Sequence, residues 1–222
     1  MSLSDWSRRE RPGQWPLTGA RVVLEPLDWD AHLDGLYKAV AAPEVEDIWN
    51  YMPLGPFKSA EQFHEIFDHV CANFGWETLV IRKGNSGKVL GMAGYMRIRE
   101  EHGSAEIGCV AFGRDLQRTP EATEAMYLMA SHIFDELGYR RYEWKCHNEN
   151  DASRRAAARF GFAFEGVFRN DMVVRGQNRD TAWFAMTDDD WPSLKAAFEA
   201  WLTPSNFDAA GQQKQRLESF RP

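Results

Sequence analysis

Apolar positions change period along the chain, and each change marks an element. From Ala122 they recur at steps of three and four, through Met126, Met129, Ile133 and Leu137, which is the spacing of one buried helical stripe. Thr119 suits the N-cap of that helix, Pro120 suits its first position, where no NH partner is needed, and Gly138 is its stop. A second stripe, Phe63, Ile66, Phe67 and Val70, follows Ser59-Ala60-Glu61-Gln62. That wording is a capping box, in which Ser59 serves the Gln62 NH and Gln62 reaches back. Three shorter helices are expected. One is capped by Asp28 or Asp30 and carries Leu33, Leu36, Tyr37 and Val40; an alanine-rich one runs to Phe160 and is closed by Gly161; the last, after Asp188 to Asp190, carries Leu194, Phe198 and Trp201.

Period-two or continuous apolar runs predict strands at Arg21 to Leu27, Glu77 to Arg82, Lys88 to Arg99, Ser104 to Phe112 and Arg140 to Cys146, and over the two arms of a hairpin, Phe162 to Val174 and Arg179 to Met186. The turn-rich segments 83–87 and 101–103 make the second, third and fourth of these an antiparallel meander. Regular alternation from Ser104 to Phe112 sets Ile107, Cys109 and Ala111 on one face, and Glu106, Gly108, Val110 and Phe112 on the other. Glu106 is then an acid on a largely apolar face.

Composition narrows the picture. With 222 residues, 44% of them hydrophobic, the chain can bury one full core without disulfides or metal. Residues 1–18 read as an extension that wanders or lies along the surface, 19–202 as a single domain, and 203–222 as a polar, loose tail. A net charge of −7 argues against a nucleic-acid surface. Cys71, Cys109 and Cys146 are odd in number and lack CxxC spacing, so neither a disulfide framework nor a metal site is expected, and they read as reduced thiols of a cytoplasmic protein. Neither a membrane span nor a signal peptide is evident in the sequence. His64 and Asp68, four apart on one helix, read as a solvated pair.

Two stretches are candidates for chemistry. Gln117 to Ala125 sits between a strand and a helix, an order that can aim free NH groups and the positive helix end at an anion, although an ordinary capped helix reads the same way. The loop from Ala42 to Lys58 is rich in aromatics, among them Trp49 and Tyr51, which either pack onto the core or recognise a ligand.

The element order gives an α/β fold of the α+β type, a mixed, mostly antiparallel twisted sheet with a central parallel strand-helix-strand crossover. Three pieces stand within it: Gln117-x-x-Pro120-x-Ala122, Asn150-x-x-Ser153 with Gly161-Phe162 eight residues on, and the closing hairpin. Over about residues 18 to 202 the chain thereby resembles the GNAT superfamily of N-acetyltransferases, in its RimJ/RimL-like branch.

The resemblance implies acetyl-CoA as cosubstrate and no metal. It assigns the pyrophosphate to Gln117, Arg118, Thr119, Ala122 and Thr123, and the pantetheine arm to a gap between splayed strands, near Val110, Phe112, Asn150 and Ser153. Where the family pattern has its first glycine this chain has Pro120, which deletes one backbone donor; where the family often has a tyrosine acid it has Ala157. Family chemistry is direct attack by an amine in a ternary complex. Glu106 is the candidate base, acting directly or through water, with an ion pair across the sheet as its other reading; Ser153 is the candidate acid, with helix capping or packing as its other reading. Trp49 and Tyr51 would wall the acceptor site. The acceptor reads as a primary amine, with a protein or peptide N-terminal α-amine as the leading candidate. A small-molecule amine (amino acid, polyamine, amino sugar or antibiotic), or a non-catalytic coenzyme-binding role, is the alternative. No nucleic-acid or membrane partner is implied, and the protein would be a monomer or homodimer.

Overall fold

The computed structural model describes residues 3–221. Eight strands form one sheet in the order β1-β2-β3-β4-β5-β6-β8-β7. They are β1 (Leu17–Thr18), β2 (Val22–Pro26), β3 (Glu77–Lys83), β4 (Val89–Arg99), β5 (Ser104–Phe112), β6 (Arg141–His147), β7 (Ala163–Val174) and β8 (Gln177–Thr187). All neighbours are antiparallel except β5 and β6. The crossover between those two is helix α3 (Pro120–Ser131), which continues as a π-helical turn, His132–Glu136, and ends at Gly138 with φ +63°.

The sheet is covered on both faces. On one, Ile107, Tyr142, Trp144 and Phe184 pack with Met126, Met129 and Ile133 of α3 and with Phe198 and Trp201 of α5 (Trp191–Leu202); Ala157 and Phe160 of α4 (Asp151–Phe160) complete this core. On the other, Val80, Met92 and Ala111 meet Leu36 of α1 (Trp29–Leu36) and Phe63 and Phe67 of α2 (Ala60–Phe74). Ser59 caps α2 as expected, with its Oγ accepting from Gln62 N at 3.2 Å, but Gln62 reaches back to Lys58 N rather than to Ser59. Ile66, expected in the buried stripe, is exposed, because the stripe is filled by Phe63, Phe67 and Val70. His64 and Asp68 are not simply solvated: both meet Trp29, the ring of His64 at 4.6 Å and tilted by 40°, and Asp68 by accepting from the indole.

The alternation expected along β5 breaks at Cys109, whose φ is +48°. Gly94 pairs with Gly108 and Met92 with Ala111, so β5 advances three residues while β4 advances two. This is a β-bulge, which bends the strand and switches its faces. Ile107 therefore lies in the α3-side core, whereas Ala111 and Cys109 lie on the α1–α2 side, and Val110 and Phe112 return to the α3 side.

The end segments both pack. Arg11 Nε lies 2.5 Å from Glu77, and Arg9 N donates to Glu100 O at 3.0 Å, so the N-terminal segment lies along the meander. The tail expected to be loose is docked: Leu217 is fully buried in the α3-side core, and Arg221 donates to the carbonyls of Ala158 and Arg159 at the end of α4. One apolar side chain placed in a core outweighs the polar composition around it.

Candidate active site

β5 and β6 pair only from Ser104↔Arg141 to Ile107↔Trp144. Beyond that point β5 stays with β4 as far as Phe112↔Gly91, and β6 stays with β8 as far as His147↔Thr181. The bulge at Cys109 sits where the two strands part. The facing edges of β5 after Ile107 and of β6 after Trp144 thus have backbone groups unused by each other, the setting in which an extended amide-bearing chain can pair with a sheet.

The turn at the top of β5 is built from local bonds. Gln117 Nε2 donates to Phe112 O at 2.8 Å, and Arg118 takes the left-handed conformation, φ +62°, that ends the turn. Thr119 is the N-cap, its Oγ1 accepting from Ala122 N at 3.2 Å, and Pro120 occupies the first helical position. Ala122 NH is thereby engaged within the loop, and Thr119 NH makes a 3.4 Å bond to Leu116 O. The side chain of Thr123 is buried and accepts from Arg159 Nη1 at 3.0 Å, tying α3 to α4. Of the groups expected to face a phosphate, the Thr123 hydroxyl is thus committed to Arg159, and the NH groups of Thr119 and Ala122 are bonded within the loop.

Across the gap, Asn150 caps α4 by accepting from Ser153 N at 3.0 Å. Ser153 itself does not cap; its Oγ accepts from Trp144 Nε1 at 3.0 Å, and its hydroxyl lies within hydrogen-bonding reach of the Cys146 thiol. Sequence position alone could not distinguish capping from this orientation.

Glu106 lies on the α1–α2 face of β5, level with Glu143 on β6. That face is charged rather than apolar at this point. Lys145 Nζ approaches Glu106 Oε2 to 3.2 Å and Arg97 Nε to 3.7 Å, and both cations also lie over the ring of Trp183. Glu143 is neutralised by Arg99 and Arg141 at 2.6 and 2.7 Å. Burial drives the Glu106 carboxyl up to about 7, against the lowering pull of Lys145 and Arg97, with Glu143 pushing it further up. Glu106 is ion-paired across the sheet, yet burial outweighs the pairs. Gly108 makes this possible, since a methyl there would sit 2.2 Å from Met96 Sδ and 3.1 Å from Glu106 Oε1.

The two aromatics separate. Trp49 is no pocket wall: it is fully buried, donates to Val40 O at 2.6 Å and packs on Phe57 and Phe63. A large ring with one donor is satisfied in a core once a carbonyl meets its NH. Tyr51 is exposed and lies against His147 at the end of β6, 5.4 Å between ring centroids. Arg175, at the β7–β8 turn, donates to the carbonyls of Met52, Leu54 and Gly55, fastening this loop to the hairpin. Cavities of about 500 and 380 Å³ lie elsewhere, one beside Arg11 and Glu100, the other beside Ser104 and Arg141.

The sequence model of the acetyltransferase (GNAT) domain matches residues 21–163, which include the splayed strands and the loop before α3. The chain belongs to the GNAT acetyltransferase family. A GCN5-related N-acetyltransferase from Brucella melitensis, whose crystal structure is known, is 45% identical, with a TM-score of 0.93 and 99% of each chain covered. A probable GNAT-family acetyltransferase from Chromobacterium violaceum is 38% identical, with a TM-score of 0.81, covering 86% of this chain and 96% of its own. The uncharacterized N-acetyltransferase YoaA of Bacillus subtilis is 30% identical over 164 residues, 72% of this chain and 90% of that protein. This GNAT protein is accordingly an acyltransferase of the N-acetyltransferase type, with the mixed sheet and single parallel pair of its family.

Among its described residues no cluster of His, Cys, Asp and Glu could hold a metal, and no helix is long and apolar enough to cross a membrane.

Proposed function

We propose that the protein moves the acetyl group of acetyl-CoA to a primary amine by direct attack in a ternary complex, in the manner of the RimJ/RimL-like branch, and that it works in the cytoplasm. The observation that carries this reading is the buried carboxyl of Glu106 close to the point where β5 and β6 part.

The residues divide the work. The unpaired edges after Ile107 and Trp144 and the turn at Gln117 to Ala122 receive the coenzyme, which supplies an activated thioester. Glu106, as carboxylate, takes a proton from the incoming ammonium directly or through one water, and the freed nitrogen pair forms the new C–N bond. The attached nitrogen then loses its second proton to solvent, the C–S bond breaks as the tetrahedral centre collapses, and the Ser153 hydroxyl gives its proton to the departing sulfur. That hydroxyl is reprotonated from solvent or from the proton Glu106 holds. A base with a pKa near 7 is matched to work at neutral pH. It suits an α-amine, of which roughly a tenth is already neutral at pH 7, better than a lysine amine, of which well under about a hundredth is. A peptide or amino-acid α-amine is therefore the acceptor class favoured here.

Thiol release from acetyl-CoA across an amine panel tests this. Amine-dependent release that drops in Glu106→Ala and Ser153→Ala, with coenzyme affinity kept, is the expected result. Unchanged turnover in both variants removes the two residues from the mechanism, and tight coenzyme binding without release for any amine removes the activity.

A further inference from the structure

Three successive side chains on the face of β8 opposite the α3-side core end in buried polar atoms that have no hydrogen-bond partner: Arg179 Nε, Thr181 Oγ1 and Trp183 Nε1. Arg179 is 7% exposed and Thr181 is 0% exposed, and among the described residues no carboxylate or carbonyl pairs with the Arg179 side chain. Native folds satisfy nearly all such atoms, and a buried cation without a counter-charge is among the most unfavourable features a core can carry.

Their placement is fixed by register. Ala182, Phe184 and Met186 point into the α3-side core, so the odd positions of β8 point to the other face. Trp183 is level with Lys145 and Thr181 with His147, while Glu106 is level with Glu143, the partner of Ala185. The three orphan donors thus line one track that leads away from Glu106, passing Thr181 level with His147, against which Tyr51 lies, and reaching Arg179. Same-face neighbours on a strand are about 7 Å apart at Cα. An arginine side chain and an indole can both close that distance towards a threonine between them.

The charge along the track is positive. Arg97 and Lys145 share the single carboxylate of Glu106, and Arg179 has none. A polyamine would meet cations along its whole length, whereas an anionic group would find a guanidinium, a hydroxyl and an indole NH together.

We propose that Arg179, Thr181 and Trp183 form a subsite for a carboxylate carried by the acceptor, so that this enzyme selects amines that also bear an acidic group, as amino acids and acidic peptides do. This deepens the acetyl-transfer reading and rests on it. A carboxylate can accept from all three donors at once.

Matched acceptors test the proposal: an amino acid or dipeptide with its carboxylate free, the same molecule as its carboxamide, and spermidine. The carboxylate form is expected to have the higher kcat/KM by roughly 10- to 100-fold, the range for losing a charged hydrogen bond, with most of the difference in KM. Arg179→Met should collapse that ratio and leave acetyl-CoA affinity as it is, and Thr181→Val, nearly isosteric, should reduce it partly. In the absence of acceptor, Arg179→Met should melt at or above the wild-type temperature, since it removes an unpaired buried charge, whereas Arg141→Met, which breaks real pairs, should melt below it. Equal rates on acid and amide, or a destabilised Arg179→Met, would overturn the subsite while leaving acetyl transfer intact. If no amine releases thiol, acetyl transfer fails. The subsite is then judged by thermal shift in the presence of coenzyme: stabilisation by the carboxylate form and not by the carboxamide upholds it, and equal or absent stabilisation rejects it.

Discussion

Glu106 is held between opposing influences, and that balance sets its pH behaviour. Burial raises its carboxyl to about 7, while Lys145 and Arg97 pull it down. As the base it must be ionised, so kcat/KM should rise through about pH 7, and Glu106→Gln should abolish that limb in an activity-pH profile. Lys145→Met removes a lowering influence, so the limb should move to higher pH; a limb that stays in place would show that Lys145 does not set the base. The same shift has a stability consequence of opposite sign to the usual carboxylate. The folded-state pKa lies above the unfolded value of about 4.3, so the folded protein holds this proton more tightly, and its contribution to stability is present below that value and lost as pH rises towards 7. Glu106 and Ser153 were legible as candidates from sequence. Lys145 was not, because its closeness to Glu106 depends on the parallel register of β5 against β6. Arg179, Thr181 and Trp183 carried a readable signal, polar residues alternating with Ala182 and Phe184, but only the structure shows that their partners are missing.

At the scale of elements, the loop before α3 can be tested by restoring what Pro120 removes. Pro120→Gly should return one backbone NH to the helix start and tighten acetyl-CoA binding by up to about tenfold, a neutral hydrogen bond being worth roughly 0.5–1.5 kcal/mol. It should also lower the melting temperature, since glycine frees the chain in the unfolded state. Calorimetric titration beside a melt checks both, and weaker binding in the variant would remove this loop from the coenzyme site. The strands of the meander and the capped helices were legible because their periods are long and regular. The bulge at Cys109 was not, since a non-glycine residue with positive φ leaves no compositional mark, and it reverses the faces of everything after it in β5. Trp49 shows the matching limit for loops: an aromatic in an irregular segment reads alike whether it faces solvent or, as here, a core.

The whole molecule shows why the site is where it is. A sheet covered by α3, α4 and α5 on one face and by α1 and α2 on the other loses its strand pairing where β5 and β6 separate, and that gap is where the proposed coenzyme and acceptor sides would meet. The ends of the chain reinforce the frame. Leu217 anchors the tail in the α3-side core, so Leu217→Ala should cost roughly 2–5 kcal/mol of unfolding free energy in a denaturant titration. A change within a few tenths of a kcal/mol would mean that the tail is dispensable to the core. The tail's docking was hidden in the sequence because its apolar anchors, Leu217 with Phe207 and Phe220, are isolated among polar residues without a helical or strand period. The most direct test of the account is a single-turnover experiment with acetyl-CoA and an α-amine acceptor, the acetylated amine followed by mass spectrometry, in wild-type and Glu106→Gln protein of equal coenzyme affinity. The wild type should yield acetylated amine and free coenzyme A in equal amounts, and the variant should form them much more slowly. Coenzyme A appearing without acetylated amine, or equal rates in the two proteins, would contradict it.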